Sequence, residues 1–370
     1  MPGTIPDLLD PTPWLPLINA ASTTDVRRAL ACEEPGEAEL AALLSVSAIP
    51  LLEDMARRAQ ALTQRHFGRT VSLYIPLYLS DYCSGGCEYC GFAADRRQLR
   101  RRLEPGDIIR ELDAIKAMGF DEILLLTGER TPQADLKYLR EAVREAAQRF
   151  AAVTIEAFPM DTEEYRILAQ AGAVGVTLYQ ETFEPVQYEH LHRWGAKRDY
   201  LNRIDAPARI LSSGMRTVGL GALLGLSDPY FDAISLYRQA MSLRRRFWQA
   251  GVSVSFPRVC PQEGGYQPPF PVSDRTLAQI IFAFRICMPD VPLVLSTREA
   301  PAFRDGLAGV GINKMSIASR TTVGGYDALP AGAQEGQFEV NDDRDVATFC
   351  TMLKQKELEP VFKNWDKVYR

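Results

Sequence analysis

The chain has few histidines, three in 370 residues, and none lies close to its densest group of cysteines. No apolar run approaches the roughly 18 residues of a membrane-crossing helix, and no basic stretch followed by an apolar one opens the sequence as a secretory leader would. The expectation is therefore a cytosolic, cytoplasmic protein. There is no low-complexity tract and no internal repeat. Charge of neither sign dominates: 42 Lys and Arg stand against 47 Asp and Glu, net −5, which gives no footprint for a nucleic acid or an anionic membrane. A glycine-rich phosphate fingerprint after an early strand is also missing, and this lowers the case for a doubly wound dinucleotide-binding sheet.

What is present is a rhythm. Residues 1–70 carry apolar residues at helical spacing in "EAELAALLSV" and "LLEDMARRAQALTQRHFG", and predict an N-terminal helical extension. From residue 71 onward, short continuous apolar runs alternate with amphipathic segments. "VSLYIPLYLS", "EILLLTG", "AVTIEAF", "GVTLYQET", "TVGLGALLGL", "SVSFPRV", "LVLSTRE" and "NKMSIAS" read as strands buried on both faces, each followed by a helix. The fourth of these helices, "DYLNRIDAPARILSSG", is expected to kink at Pro207, and "DVATFCTMLKQKELE" to close the chain as a helix. Eight such units across 71–370 predict a (β/α)₈ TIM-type barrel with a C-terminal closing segment.

In that architecture the chemistry sits at the carboxyl ends of the strands. The residues there are Cys83, Cys87 and Cys90 after the first strand, Thr127, Gly128 and Glu129 after the second, and Glu156 after the third. Glu181 follows the fourth, Arg258 the sixth, Arg298 and Glu299 the seventh, and Ser316 and Ser319 the eighth. A barrel with only a structural task does not need a polar group at almost every strand end.

The loop "SDYCSGGCEYCGF" places three cysteines in a Cys-x₃-Cys-x₂-Cys spacing. Structural zinc calls for four protein ligands, and no histidine is near enough in sequence to be the fourth. Three thiolates can instead hold three irons of a [4Fe–4S] cube and leave the fourth iron open for a ligand that is not protein. Gly85 and Gly86 let the backbone curl around such a group, and Tyr89 sets an aromatic face beside it.

With this loop the sequence resembles the radical S-adenosylmethionine (SAM) enzymes. "LLLTGER" is similar to the family's segment for the SAM amino group, matched by Thr127, Gly128 and Glu129. "IPLYLSDYC", "LYQETF", "GLGALLGLSD", "SVSFPR", "LSTRE" and "TTVGGY" together resemble the tyrosine lyase family of thiamine thiazole biosynthesis, the 2-iminoacetate synthases, over roughly residues 50 to 365. The hydrogenase maturases and tryptophan lyases are close relatives. The maturases carry a C-terminal cysteine motif for a second cluster, whereas this chain has only Cys350 there.

The resemblance implies one [4Fe–4S] cluster, SAM, and homolytic cleavage of the Cα–Cβ bond of L-tyrosine to 2-iminoacetate and p-cresol. Electrons would come from flavodoxin or ferredoxin, and a thiazole synthase is the implied recipient of the product. It implies that Arg298 grips the substrate carboxylate, a task suited to a planar guanidinium, with Ser316, Ser319 and Tyr78 around the substrate. Tyr89, Glu156, Glu181 and Arg258 are expected to border SAM. The alternatives are a salt bridge for Arg298, interior pairs for the two glutamates, and a loop brace for Arg258. The basic run "RRQLRRR" (96–102) is expected either as a solvated loop or as a docking site for an acidic electron carrier.

Overall fold

A computed structural model describes residues 6, 9–327 and 336–362. The outer ends of the two expected spans, 1–5 and 363–370, lie outside the described residues. The chain opens with four helices, α1 (Leu15–Ala20), α2 (Thr23–Ala31), α3 (Glu37–Leu43) and α4 (Leu52–Phe67). Ser22 starts α2 with a reciprocal cap, its hydroxyl accepting from the Asp25 N–H while the Asp25 carboxylate accepts from the Ser22 N–H.

The barrel follows as β1 (Thr70–Tyr78), α5 (Pro105–Ala117), β2 (Glu122–Leu126), α6 (Leu136–Arg149), β3 (Ala152–Glu156), α7 (Thr162–Ala171) and β4 (Gly175–Thr177). The chain continues through α8 (Pro185–Leu191), α9 (Tyr200–Ser212), β5 (Thr217–Gly221), α10 (Pro229–Arg246), β6 (Gly251–Ser255) and α11 (Asp274–Cys287). It ends with β7 (Leu293–Leu295), α12 (Pro301–Leu307), β8 (Lys314–Ser316), α13 (Val346–Gln355) and β9 (Glu359–Val361). Every neighbouring pair from β1 to β8 is parallel, and the ring closes where Leu73 of β1 faces Met315 of β8 while Leu77 of β1 faces Leu125 of β2. The expected (β/α)₈ barrel is what the chain forms.

Pro207 lies inside α9. The short helix α8 stands between β4 and α9. One local expectation needs correction. The closing segment does not end as a helix: α13 stops at Gln355 and β9 pairs in parallel with the first residues of β1, Val71 opposite Pro360. The N-terminal helices share one apolar core with the barrel, Val26, Leu40 and Met55 joining Leu77, Ile155 and Leu295. α4 and α3 both pack against α11. Among the described residues no helix is long and apolar enough to cross a membrane.

The lumen is lined unusually for such a barrel. Thr154, Thr177, Thr217, Ser253 and Ser255 project inward where bulky aliphatics commonly fill the space. They leave a cavity of about 270 Å³ toward the amino ends of the strands. Tyr74, Leu124 and Tyr179 line both this cavity and a smaller one of about 50 Å³ at the carboxyl ends, and so form the floor between them.

Candidate active site

β1 runs directly into the cysteine loop. Its geometry is set by close backbone approach: a Cβ on Gly128 would stand 2.6 Å from the Tyr82 carbonyl oxygen and 2.7 Å from Cys83 Cβ. Only glycine lets the second strand end lie that close to the loop. A Cβ on Gly85 would sit 3.7 Å from both Cys83 Sγ and Cys87 Sγ, so the two thiols flank the same point. The N–H groups of Gly85 and Glu129 point at Cys83 Sγ (3.4 and 3.3 Å), and those of Phe92 and the Gln337 amide at Cys90 Sγ (3.4 and 3.7 Å). Burial lifts the Cys83 thiol to about 11 and pushes Cys87 up further, so the thiols need a cation to give up their protons.

Among the described residues no three His, Cys, Asp or Glu side chains are grouped for a single metal ion. A cube does not require that, because each thiolate binds a different iron. Sulfur-directed N–H donors are the setting iron–sulfur clusters use, and the residues present fit a [4Fe–4S] group.

The basic run turns out to brace this loop. Arg96 donates to the carbonyls of Glu88 (2.7 Å) and Cys90 (3.3 Å). Arg100 donates to Asp81 (2.7 Å), Phe92 (3.0 Å) and the Ala93 carbonyl. Arg102 pairs with Glu104 and lies over the Tyr138 ring. Arg96 and Arg100 are thus not simply solvated, since their cations satisfy the carbonyls of an irregular segment that has no ladder to use them, whereas Arg97, Leu99 and Arg102 are exposed.

Beside the cysteines lies a buried charge network. Lys197 Nζ pairs with Glu181 (2.6 Å), and Arg203 reaches Glu129 (3.2 Å) and Glu181 (3.5 Å). Burial would raise Glu181, but Lys197 and then Arg203 hold it below the usual carboxylate range. Glu129 Oε2 is buried and has no hydrogen-bond partner. Such an atom is costly unless a ligand satisfies it. Among the described residues Glu181 is also one of three non-glycine residues with positive φ, at 73°, and Ala318, between Ser316 and Ser319, is another at 49°. Strain of this kind collects where side chains must be aimed.

Tyr89 is buried, and its hydroxyl meets His192 Nε2 at 2.7 Å. The other ring nitrogen stands 2.7 Å from the Tyr188 carbonyl, which can only accept. Nδ1 therefore carries the proton and Nε2 accepts from Tyr89. Burial drives the His192 pKa well below its ordinary value, so the ring stays neutral. Sequence reasoning gave His192 no role; a separation of 103 positions between the partners leaves no local signal.

The 50 Å³ void is the second half of the site. Tyr78, Glu156, Arg298, Ser316 and Ser319 all line it, together with Tyr74, Tyr179 and the strap residues Gln337 and Phe338. Arg298 forms no salt bridge among the described residues. Its guanidinium lies over the Phe338 ring, 3.3 Å from the centroid, and makes one long contact to the Arg258 carbonyl (3.5 Å). Glu299, its expected competitor, is taken by Arg258, which also pairs with Asp274 at 2.8 Å. Arg258 thus braces a loop, the alternative to a cofactor contact. Ser319 Oγ is buried without a partner. Tyr78 donates to the Gln337 amide oxygen (2.8 Å). Thr127 lies at the second strand end, its hydroxyl on the Gly128 carbonyl (3.1 Å).

A parallel barrel whose first strand ends in a three-thiol loop is the arrangement of the radical SAM enzymes. Residues 77–236 match the model of the radical SAM superfamily, and residues 255–359 that of the biotin and thiamin synthesis associated domain. The chain is 40% identical to the 2-iminoacetate synthases of Escherichia coli and Salmonella typhimurium over 351 residues, 94% of this chain and 92% of each relative. It belongs to the 2-iminoacetate synthase family. Among solved structures it is similar to HydG, a maturase of the [FeFe]-hydrogenase, at a TM-score of 0.91 and 26% identity, covering 99% of this chain and 83% of that one. Methylornithine synthase shares the fold at 0.71 and 22% identity, covering 91% of this chain and 97% of that one.

Proposed function

We propose that this enzyme cleaves the Cα–Cβ bond of L-tyrosine, giving 2-iminoacetate and p-cresol. The observation that carries the reading is an unpaired guanidinium, Arg298, beside an unpartnered hydroxyl, Ser319, in a pocket that abuts the thiol loop. The 40% identity to curated 2-iminoacetate synthases along nearly the whole chain supports the same reaction.

When bound, the [4Fe–4S] cluster and SAM supply a 5′-deoxyadenosyl radical as the hydrogen-abstracting agent. The chain's own residues hold and aim the reactants. Cys83, Cys87 and Cys90 hold the cluster. Glu129, with its spare buried oxygen, takes the SAM amino group, and Thr127 and Gly128 fit the backbone of the second strand end around it. Tyr89, fixed by His192, offers an aromatic face, and Glu181 meets ribose hydroxyls. Arg298 takes the substrate carboxylate in two parallel hydrogen bonds, with Ser316 and Ser319 completing the grip. Tyr78 closes the side nearest the cluster. The Tyr74–Leu124–Tyr179 floor separates this void from the cavity at the amino ends of the strands.

Flavodoxin or ferredoxin would deliver the electron, and a thiazole synthase would receive the hydrolysis-prone imine. A maturase-like second reaction finds less support, since identity to HydG is 26% against 40% to the curated 2-iminoacetate synthases. The test is anaerobic reconstitution with tyrosine, SAM and reductant: p-cresol and 5′-deoxyadenosine should form together. SAM cleavage with phenylalanine or tryptophan but not tyrosine would sink the assignment.

A further inference from the structure

Removing hydrogen from nitrogen requires an uncharged amine, whereas a free amino acid arrives at neutral pH as an ammonium. Among the described residues lining the pocket, one carboxylate is open to the void, that of Glu156 at the end of β3. Its side chain makes no hydrogen bond and no ion pair among the described residues. Its neighbours differ in this respect: Glu129 and Glu181 are bound to Arg203, and Glu181 also to Lys197. Across the same void stands Arg298, likewise without a carboxylate partner. An unpaired cation and an unpaired anion in one small cavity are complementary to a zwitterion.

We propose that Glu156 binds the substrate's α-ammonium group and is the base that accepts its proton; this rests on the amino-acid lyase reading above. The step is R–NH₃⁺ plus Glu156 carboxylate giving R–NH₂ plus Glu156 carboxylic acid. No electron moves, and the proton returns to solvent when the products leave. With the carboxylate end on Arg298 and the amine on Glu156, the substrate is held at both polar ends of Cα.

The surroundings suit the task. Burial, and then the charge of Glu181, raise Glu156 to about 7, while Arg298, Lys197 and Arg203 pull the other way. The remaining titratable groups facing it are Tyr74 and Tyr78 on β1 and Tyr179 after β4, all held protonated by burial. A base with a value near the working pH is available in its ionised form when substrate arrives and is strong enough to take a proton.

The experiment compares wild-type, Glu156→Gln and Glu156→Asp holoenzymes. Without reductant, calorimetry on the enzyme–SAM complex gives affinities for tyrosine and phenylalanine, and on the enzyme alone the affinity for SAM. With reductant, p-cresol formation is followed from pH 5.5 to 8.5. Expected for Glu156→Gln is a loss of about tenfold or more in affinity for both amino acids, SAM affinity within about threefold, and p-cresol formation down by about 100-fold or more. Wild-type kcat/KM should climb about tenfold per pH unit to a bend near pH 7, absent in Glu156→Gln and kept in the slower Glu156→Asp. Unchanged tyrosine affinity and an unchanged profile overturn the inference. So does a loss confined to tyrosine, which would put the carboxylate against the phenol, or a loss of SAM affinity, which would put it on the ribose. A wild-type enzyme that neither binds tyrosine nor forms p-cresol overturns the lyase reading itself, a result distinct from any difference between variants.

Discussion

The cysteine loop and the substrate void lie side by side, yet they treat their polar groups in opposite ways. In the loop almost everything is committed. Arg96 and Arg100 tie down five backbone carbonyls, Arg193 holds the Gly86 carbonyl and Asp95, and N–H groups are aimed at sulfur. In the void, Arg298 and Glu156 have no ion-pair partner and Ser319 Oγ no hydrogen bond among the described residues. A resident group needs a rigid cradle, because reorganising it would loosen the ligands. An exchangeable one needs groups that are left unsatisfied until it arrives. Glu129 bridges the two, with one oxygen on Arg203 and the other unpartnered.

The largest effect should come from breaking the cradle at its ligands. Cys87→Ala should abolish bound iron beyond trace and lower 5′-deoxyadenosine formation by more than about 1000-fold, read by iron quantitation and chromatography. Next, Arg298→Ala should lower kcat/KM for tyrosine by about 100-fold or more, roughly 3 kcal/mol. SAM binding should be retained, so its failure together with tyrosine turnover would erase the boundary between the regions. Arg298→Lys should not restore the rate, since a lysine cannot make the two parallel bonds. Arg100→Gln removes donors to three carbonyls; we expect about 2 kcal/mol less stability in urea unfolding and faster loss of iron, with the tyrosine KM unmoved. Smallest is Ser319→Ala, at about 1 kcal/mol in tyrosine affinity with no change in iron content. A larger effect on iron than on tyrosine there would place Ser319 on the wrong side of the comparison.

The division also explains what could be read from the residue string. Continuous apolar runs such as "EILLL" mark strands that are covered on both faces, so the barrel was legible. The thiol spacing and the Arg298 position were legible because each depends on a few neighbours in sequence. Partnerships across the chain were not. Nothing in "RRQLRRR" tells that Arg96 reaches back eight residues to a carbonyl rather than out to solvent. The strap escaped for the same reason: Gln337 finds Tyr78 across 259 residues from a segment with no periodicity. β9 is three residues long, too short for any alternation to show, and exists because β1 extends below β2 and offers it a free edge. Glu156 was seen as a polar strand end, but which void it faces depends on the register of β3 with β2 and β4.

That late pairing has a consequence for biogenesis. The strand leading into the cysteine loop is flanked by residues 314–316 on one edge and 359–361 on the other. During translation the segment carrying the thiols leaves the ribosome long before either flank exists. The thiols themselves wait on Gln337, whose amide donates to Cys90 Sγ, so this set of sulfur contacts comes together only once synthesis has passed residue 337.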